Sequence, residues 1–266
     1  MICNLHTHTV YCDGADTPLE LCRAAAEKGF VSLGFTGHSY TAFDNFGMDE
    51  ARERQYRSAV LSARQEFAGR LEVVLGIEQD WLTGKAPEGY DLVIGSVHSL
   101  ERDGKYYCLD NTPEELQKAA AAFGGARSLC EAYFGAVGQI HEKTGCGIVG
   151  HLDLITKFSE KLRLPDTGAE WYRAAWRGAL DRLGGRELIF EVNTGAMARG
   201  WRTAPYPSAE ILREIARRRG LVTVTSDCHS RDRLDFGYET ALELLRSCGF
   251  RSHLIWAGGG FEKCPL

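Results

Sequence analysis

The chain has 266 residues, of which 44% are hydrophobic and 25% charged, a composition ordinary for a folded globular protein. Its 31 basic and 36 acidic side chains give a formal charge of −5, spread along the chain, which predicts no basic face for nucleic acid. No apolar run approaches the roughly 18 residues of a membrane span, and the opening MICNLHTHT lacks the basic and apolar regions of a signal peptide.

Strand-like and helical segments alternate along the whole chain. Apolar and β-branched runs predict strands at 2–6, 31–36, 71–78, 91–97, 147–151, 188–193, 221–227 and 253–258. Helices are predicted at 18–29, 49–68, 113–122, 126–143, 168–183, 207–219 and 236–248. Most of the strand runs do not alternate in polarity, which is typical of parallel strands covered on both faces. Repeated βα units without a linker predict one α/β domain over 1–266, with a parallel sheet that is open or closed into a barrel.

The nine cysteines are scattered and include no CxxC pair. This pattern favours reduced thiols in a reducing compartment, so we expect a cytoplasmic protein.

Histidines concentrate where predicted strands end. Six of the eight fall at or just past the carboxyl end of a strand: His6, His8, His38, His98, His151 and His229. In (β/α) barrels the carboxyl ends of the strands form the active-site face. His6 and His8 are two apart, so on an extended strand both rings point to the same side and can bind one ion.

Carboxylates follow the same pattern. Those near strand ends are Asp13, Glu78, Asp153, Glu191 and Asp227. Mixed imidazole and carboxylate ligands suit zinc, manganese or iron. Any one of these histidines alone is more often a hydrogen-bonded core or surface residue, but six together favour a metal site because each buried ring would otherwise need its own polar partner.

Three other residues are interpreted differently. His141 lies on a predicted helix face and His253 opens the last strand, so neither is predicted to be a ligand. Cys228 is either a nucleophile or a small packing residue, and packing is favoured because no separate base is evident.

The motifs HTHTVYCDG, LGFTGH, GIE, GSVHSL, GHLD, EVNTGA and TSDCH occur in this order between His6 and about Phe250. With them the chain resembles the polymerase-and-histidinol-phosphatase (PHP) family. The stretch GSVHSLERDGKYYCLDNTPEEL, and EVNTGA followed by PYPSAEILREI, resemble its histidinol-phosphate phosphatases. The resemblance implies a distorted, TIM-like (β/α)7 barrel. Because eight strands are predicted, the last of them is a candidate for a strand outside the barrel.

The resemblance also implies a site for two to three divalent ions of zinc, manganese or iron. By position, the first ion would take His6, His8, Glu78 and Asp227. The second would share Glu78 and add His98 and His151. The third would take His38, His229 and a residue after the first strand; many family members have histidine there, and Asp13 is the candidate in this chain.

The implied activity is hydrolysis of L-histidinol phosphate, a small-molecule phosphomonoester, in histidine biosynthesis, with a metal-activated water attacking phosphorus. Either Asp153 or one of the metal-bound waters is the candidate proton donor to the leaving group. Arg199 is the first candidate for binding phosphate, and Arg202, Lys157 and Arg231 are the others. Glu191 and Asn193 are predicted to contact the substrate amine or to orient the metal ligands.

Other functions fit the same ligand residues. A phosphoesterase for nucleotides or phosphotyrosine would use the same chemistry, and a non-catalytic metal-binding module could keep the same barrel. A 3′–5′ exonuclease is disfavoured by the acidic net charge.

Overall fold

Eleven strands are present in the computed structural model, which describes all 266 residues. They are β1 (Ile2–Asn4), β2 (Phe30–Phe35), β3 (Glu72–Asp80), β4 (Leu92–Ser96), β5 (Ser99–Arg102), β6 (Lys105–Cys108), β7 (Ile148–Val149), β8 (Ile189–Asn193), β9 (Leu221–Thr225), β10 (Ser252–Ala257) and β11 (Gly260–Pro265). All eight predicted strands are therefore confirmed, with β7 much shorter than expected. The residues of β8 are all buried, including the polar Glu191 and Asn193, as expected of a strand covered on both faces.

Ten α-helices connect these strands. They are α1 (Pro18–Glu27), α2 (Glu50–Glu66), α3 (Pro113–Ala122), α4 (Ala126–Val137), α5 (Ile140–Thr144), α6 (Ser159–Leu162), α7 (Glu170–Leu183), α8 (Gly195–Ala198), α9 (Ala209–Arg217) and α10 (Tyr238–Ser247). Helix α1 begins at a capping box in which the Thr17 hydroxyl accepts from the Glu20 backbone N–H and the Glu20 carboxylate accepts from Thr17. The predicted helix 126–143 is wrong as a single element, because it breaks at Gly138, where the backbone packs closely on Ala179 of α7.

Seven parallel strands form the barrel, in the order β1-β2-β3-β4-β7-β8-β9. The barrel closes just beyond the ends of β1 and β9, where Thr7 and Cys228 form a parallel bridge. The His8 amide donates to the Cys228 carbonyl at 2.9 Å, and the Cys228 amide donates to the His6 carbonyl at 3.3 Å. The distorted (β/α)7 barrel is confirmed.

Strands β10 and β11 form an antiparallel hairpin outside this barrel. Strand β10 is paired to β9 through Leu254 and Thr223 alone, so the eighth predicted strand extends the sheet and does not help to close it.

All nine cysteines are free thiols. No helix is both long enough and apolar enough to cross a membrane.

His253 on β10 couples folding to pH. Its side chain is buried, and burial, together with the nearby amino terminus, lowers its pKa to about 4. The unfolded chain, with a histidine pKa of about 6.5, therefore binds a proton between about pH 6.5 and about pH 4 that the folded chain does not, so acidification through this window destabilises the fold. Between the two ends of this window, we expect the free energy of unfolding of His253→Gln to fall by on the order of 2 kcal/mol less than that of the parent protein. Urea unfolding of both proteins at the two pH values measures this difference. An equal fall in both proteins would contradict the assignment to His253.

Candidate metal centre

Six imidazole rings converge on one rim of the barrel, at the carboxyl ends of five strands. The His8 ring centre lies 4.1 Å from that of His229 and 4.3 Å from that of His38. On the other side of the cluster, the centres of His98 and His151 are 5.0 Å apart. The structure therefore brings together every histidine that sequence reasoning selected.

Glu78, near the end of β3, lies at the centre of the cluster. Its Oε2 is 2.8 Å from His38 Nδ1 and 3.2 Å from His6 Nε2. Its Oε1 is 3.0 Å from His151 Nε2 and 3.3 Å from His98 Nε2. Oε2 also lies 3.6 Å from His8 Nε2, so each carboxylate oxygen faces at least two imidazoles, which is the arrangement of a ligand shared between two ions.

Asp227 and Asp13 complete the acidic part of the cluster. Asp227 Oδ1 lies 3.2 Å from His8 Nε2 and 3.8 Å from His6 Nε2. Asp13 Oδ2 lies 3.1 Å from His229 Nε2 and 3.7 Å from His38 Nε2. Three groups of side chains are close enough to share an ion: His6, His8 and Asp227; His38, Glu78 and His98; and His8, Asp13, His38 and His229.

Several buried atoms of this cluster lack hydrogen-bond partners. They are His6 Nε2, His8 Nε2 and Glu78 Oε2. A buried polar atom without a partner costs about 1–3 kcal/mol or more, whereas coordination to a cation removes that cost. The donor set is nitrogen and carboxylate oxygen, as zinc, manganese and iron prefer, so the residues fit a divalent metal centre.

The electrostatics of the cluster also favour added positive charge. Burial alone would raise the pKa of Glu78, but the surrounding His6, His38 and His98 hold it well below its usual range. Burial alone would lower the pKa of His6, but Glu191, Glu78 and Asp227 raise it to about 10. Carboxylates that raise the pKa of neighbouring imidazoles in this way also attract metal cations strongly.

Polar side chains behind the cluster fix the orientation of its members. His6 Nδ1 lies 2.5 Å from Glu191 Oε1, which leaves His6 Nε2 directed at the cluster. The other oxygen of Glu191 accepts from the His151 amide at 2.7 Å. Asn193 Nδ2 donates to Glu191 at 3.1 Å and to Asp227 at 3.3 Å. Of the two roles predicted for Glu191 and Asn193, these contacts favour orientation of the ligands.

A cavity of about 480 Å³ opens over the histidines and carries charges of both signs. Arg199, which follows α8, is 3.0 Å from Asp227 Oδ2 through Nη2 and 3.2 Å from His229 Nδ1 through Nη1. Lys157 donates from Nζ to Asp110 Oδ2 at 3.1 Å. Arg199, Lys157 and Asp110 all line the cavity.

Three other candidates lie away from the cavity. Asp153 is buried, accepts from the Ser208 amide at 3.0 Å and has a pKa raised by burial. Arg202 donates to Thr156 and to the Ala204 carbonyl, and its guanidinium lies over the Tyr206 ring. Arg231 faces Asp16 and Glu20. None of the three lines the cavity, so a direct role in chemistry or phosphate binding stays a prediction for them.

Cys228 is almost fully buried and packs with Leu234. Burial raises the pKa of its thiol to about 11, which disfavours the thiolate that a nucleophile needs. This agrees with the packing role favoured by the sequence.

Sequence reasoning missed four charged residues of the cavity wall: Asp44, Asp80, Asp110 and Arg233. Asp80 lies two residues after Glu78 on β3, so strand alternation would have placed it on the same side. Its Oδ2 is 3.3 Å from His98 Nδ1. Asp110 follows the β5–β6 hairpin, which was not predicted from the sequence. The dipeptide Asp103-Gly104 at its turn is a strong hairpin signal, and both residues have positive φ.

Comparisons with known proteins agree with this architecture. The family model described as PHP domain matches residues 4–195. A protein of Deinococcus radiodurans named probable histidinol-phosphatase is 31% identical over 94% of this chain and 95% of its own length. The histidinol-phosphatase of Bacillus subtilis is 24% identical over 90% of this chain and 97% of its own length.

A crystal structure of another protein has the same fold as this chain. The histidinol phosphate phosphatase of Lactococcus lactis, solved in complex with zinc, L-histidinol and phosphate, superposes with a TM-score of 0.73. It is 19% identical, and the superposition covers 98% of both chains.

Proposed function

This chain belongs to the PHP domain family, and from that membership we propose that it is a metal-dependent phosphomonoesterase that hydrolyses L-histidinol phosphate to L-histidinol and phosphate in histidine biosynthesis. The observation that carries the proposal is the cluster of six imidazoles, five of them within 4.0 Å of Glu78, at the floor of a cavity lined by both cations and acids. We place the reaction in the cytoplasm, in keeping with nine free thiols.

Two to three ions of zinc, manganese or iron are proposed for the site. His6, His8, Glu78 and Asp227 would hold the first; Glu78, His98 and His151 the second; and His38, His229 and Asp13 the third. Such ions lower the pKa of a coordinated water from 15.7 to about 7 and offset the charge that develops on the phosphoryl oxygens.

Arg199 is the proposed phosphate-binding side chain. Its guanidinium is held at the rim by Asp227, and the contact with this carboxylate outweighs burial and raises its pKa. A permanently charged, planar guanidinium matches two phosphate oxygens, so it would fix the phosphoryl group over the cluster.

Asp110 is the proposed partner for the ammonium group of the substrate. Burial alone would raise its pKa, but Lys157 and His98 lower it to about 2, so the group is ionised at neutral pH. It lines the same cavity as Arg199. A substrate that carries both a phosphate and an ammonium group matches a cavity that presents both a guanidinium and an ionised carboxylate.

Asp110→Asn is expected to weaken recognition of the substrate ammonium group and to leave phosphate ester hydrolysis itself unchanged. Loss of a charge-assisted contact of about 1.5–3 kcal/mol should lower kcat/KM for histidinol phosphate by about 10- to 100-fold. For 4-nitrophenyl phosphate, which has no ammonium group, we expect little change. Asp103→Asn at the exposed hairpin tip is the matched control. An equal fall for both substrates would show that Asp110 acts through Lys157 instead.

Substrate profiling tests the function itself. The metal-loaded protein should release phosphate from histidinol phosphate at least a hundredfold faster, in kcat/KM, than from nucleotides or phosphotyrosine. A preference for either of those would assign the chain another phosphomonoester. A protein that binds metal but releases phosphate from none of them would be a binding module.

A further inference from the structure

A second, smaller pocket of about 200 Å³ lies at the opposite end of the barrel from the metal centre. It is formed where β9 and β10 begin, at Leu221 and Ser252, whereas the histidine cluster lies beyond the strands' carboxyl ends. The pocket is smaller than the roughly 300–1,000 Å³ of typical sites for drug-sized ligands, so its size suits a small ion.

The charge of this pocket is entirely positive. Arg219, Arg251 and Lys263 line it, and no acidic residue does. The three side chains are exposed, and none of them takes part in an ion pair. In a chain with a formal charge of −5, three unpaired cations around one small pocket form a local concentration of charge that attracts anions.

The wall of the pocket contains a buried polar atom without a partner. His253 is 9% exposed, and its Nδ1 makes no hydrogen bond. Since most buried polar side-chain atoms have a partner, this atom calls for one that the protein itself does not provide. This atom has almost no solvent-accessible surface, so it reaches an ion in the pocket only after the ring rotates. The ring is neutral near neutral pH, and the tautomer that carries the proton on Nδ1 can then donate a hydrogen bond.

Arg219 occupies a position that ordinarily favours glycine. It follows the end of α9 with φ of 59°, in the left-handed region, although Gly220 is the next residue. A non-glycine residue in this conformation costs on the order of 1 kcal/mol. The cost is consistent with a requirement for the guanidinium at this place.

Two helix ends act against an anion here. Helices α9 and α10 both terminate near the pocket, and each carboxyl end carries a partial charge of about −0.5. Three full positive charges exceed the sum of these, so the pocket retains a net attraction for a negative ion.

From these features we propose that the pocket binds a small inorganic dianion, with phosphate as the matching ligand. Arg219, Arg251 and Lys263 surround the ion, and rotation of the His253 ring brings Nδ1 to the pocket as a further donor. The site is separate from the metal centre, so the inference stands whether or not the protein is a histidinol-phosphate phosphatase.

The ring nitrogens of His253 provide a local reporter that phosphate in the metal centre does not reach. We would titrate inorganic phosphate into the zinc-loaded protein at constant ionic strength and follow the imidazole ¹⁵N resonances, with the His253 signal identified from His253→Gln. A saturable shift of this signal is expected with phosphate and none with chloride. Removal of all three cations by R219A/R251A/K263A should weaken binding at this signal by about tenfold, as expected for three exposed charge contacts.

The matched control is R213A/R246A/K118A, which removes the same charge from exposed, unpaired positions on α9, α10 and α3 and should leave the titration unchanged. A shift that does not saturate, or that chloride reproduces, would overturn the proposal. An equal loss of phosphate affinity in both triple variants would also overturn the proposal, because the attraction would then come from the net charge of the protein and not from this pocket. Adenosine monophosphate should bind more weakly than phosphate; tighter binding would mean that the pocket recognises a nucleotide.

Discussion

Glu78→Gln is expected to lower kcat/KM for histidinol phosphate by at least about 1000-fold, the largest effect of any single replacement proposed for this chain. Glu78 presents one carboxylate oxygen to His38 and His6 and the other to His151 and His98. Glutamine keeps the shape but turns one of those oxygens into an NH₂ group, which repels cations and cannot act as a ligand. The variant should therefore lose bound metal as well as activity.

Metal content by mass spectrometry and steady-state kinetics on the same preparation check this result. Glu243→Gln, on the exposed face of α10, is the control and should retain both metal and activity. Activity within tenfold of the parent, with full metal content, would show that Glu78 is not shared between ions.

Removal of metal is expected to abolish activity and to lower the free energy of unfolding. An ion present at a thousandfold excess over its Kd stabilises the folded state by about 4 kcal/mol. For a domain of this size, that corresponds to a fall in Tm of about 8–16 °C on chelation of one ion. The effect should be large here because the cation-free site leaves buried atoms of His6, His8 and Glu78 without partners.

Unfolding by denaturant across a series of buffered free zinc concentrations measures this linkage. The midpoint should rise with zinc for the parent and much less for Glu78→Gln, while activity returns when zinc or manganese is restored. A midpoint independent of zinc in the parent protein would contradict a metal centre at this rim.

Much of the barrel and of the site's composition was predictable because both depend on local patterns. Largely apolar runs such as residues 91–97 indicated strands buried on both faces, and four of the five residues of β4 are buried. Histidines at strand ends indicated the shared rim, since parallel strands in a barrel deliver their carboxyl ends to one face.

The direction of individual side chains was less predictable where the backbone leaves a regular element. Asp153 lies two residues after His151, which would put both on one side of a strand, but β7 already ends at Val149 and Asp153 lies in a turn. The alternation rule requires an extended backbone and therefore fails there.

The choice between Arg199 and Arg202 depends on a similar detail. Arg199 is at the end of the short helix α8, and its guanidinium reaches back to Asp227, whereas Arg202 lies beyond the following turn and reaches Thr156. Sequence spacing does not specify how a four-residue helix and its turn orient two arginines three positions apart.

The bridge between Thr7 and Cys228 has a consequence for the order of events during biosynthesis. The residues on its two sides include His6 and His8 and, more than 200 positions later, Asp227 and His229. The proposed ligands of the first ion therefore come together only after both of these distant segments have been synthesised and the bridge has formed. Acquired metal would then report that the barrel has closed.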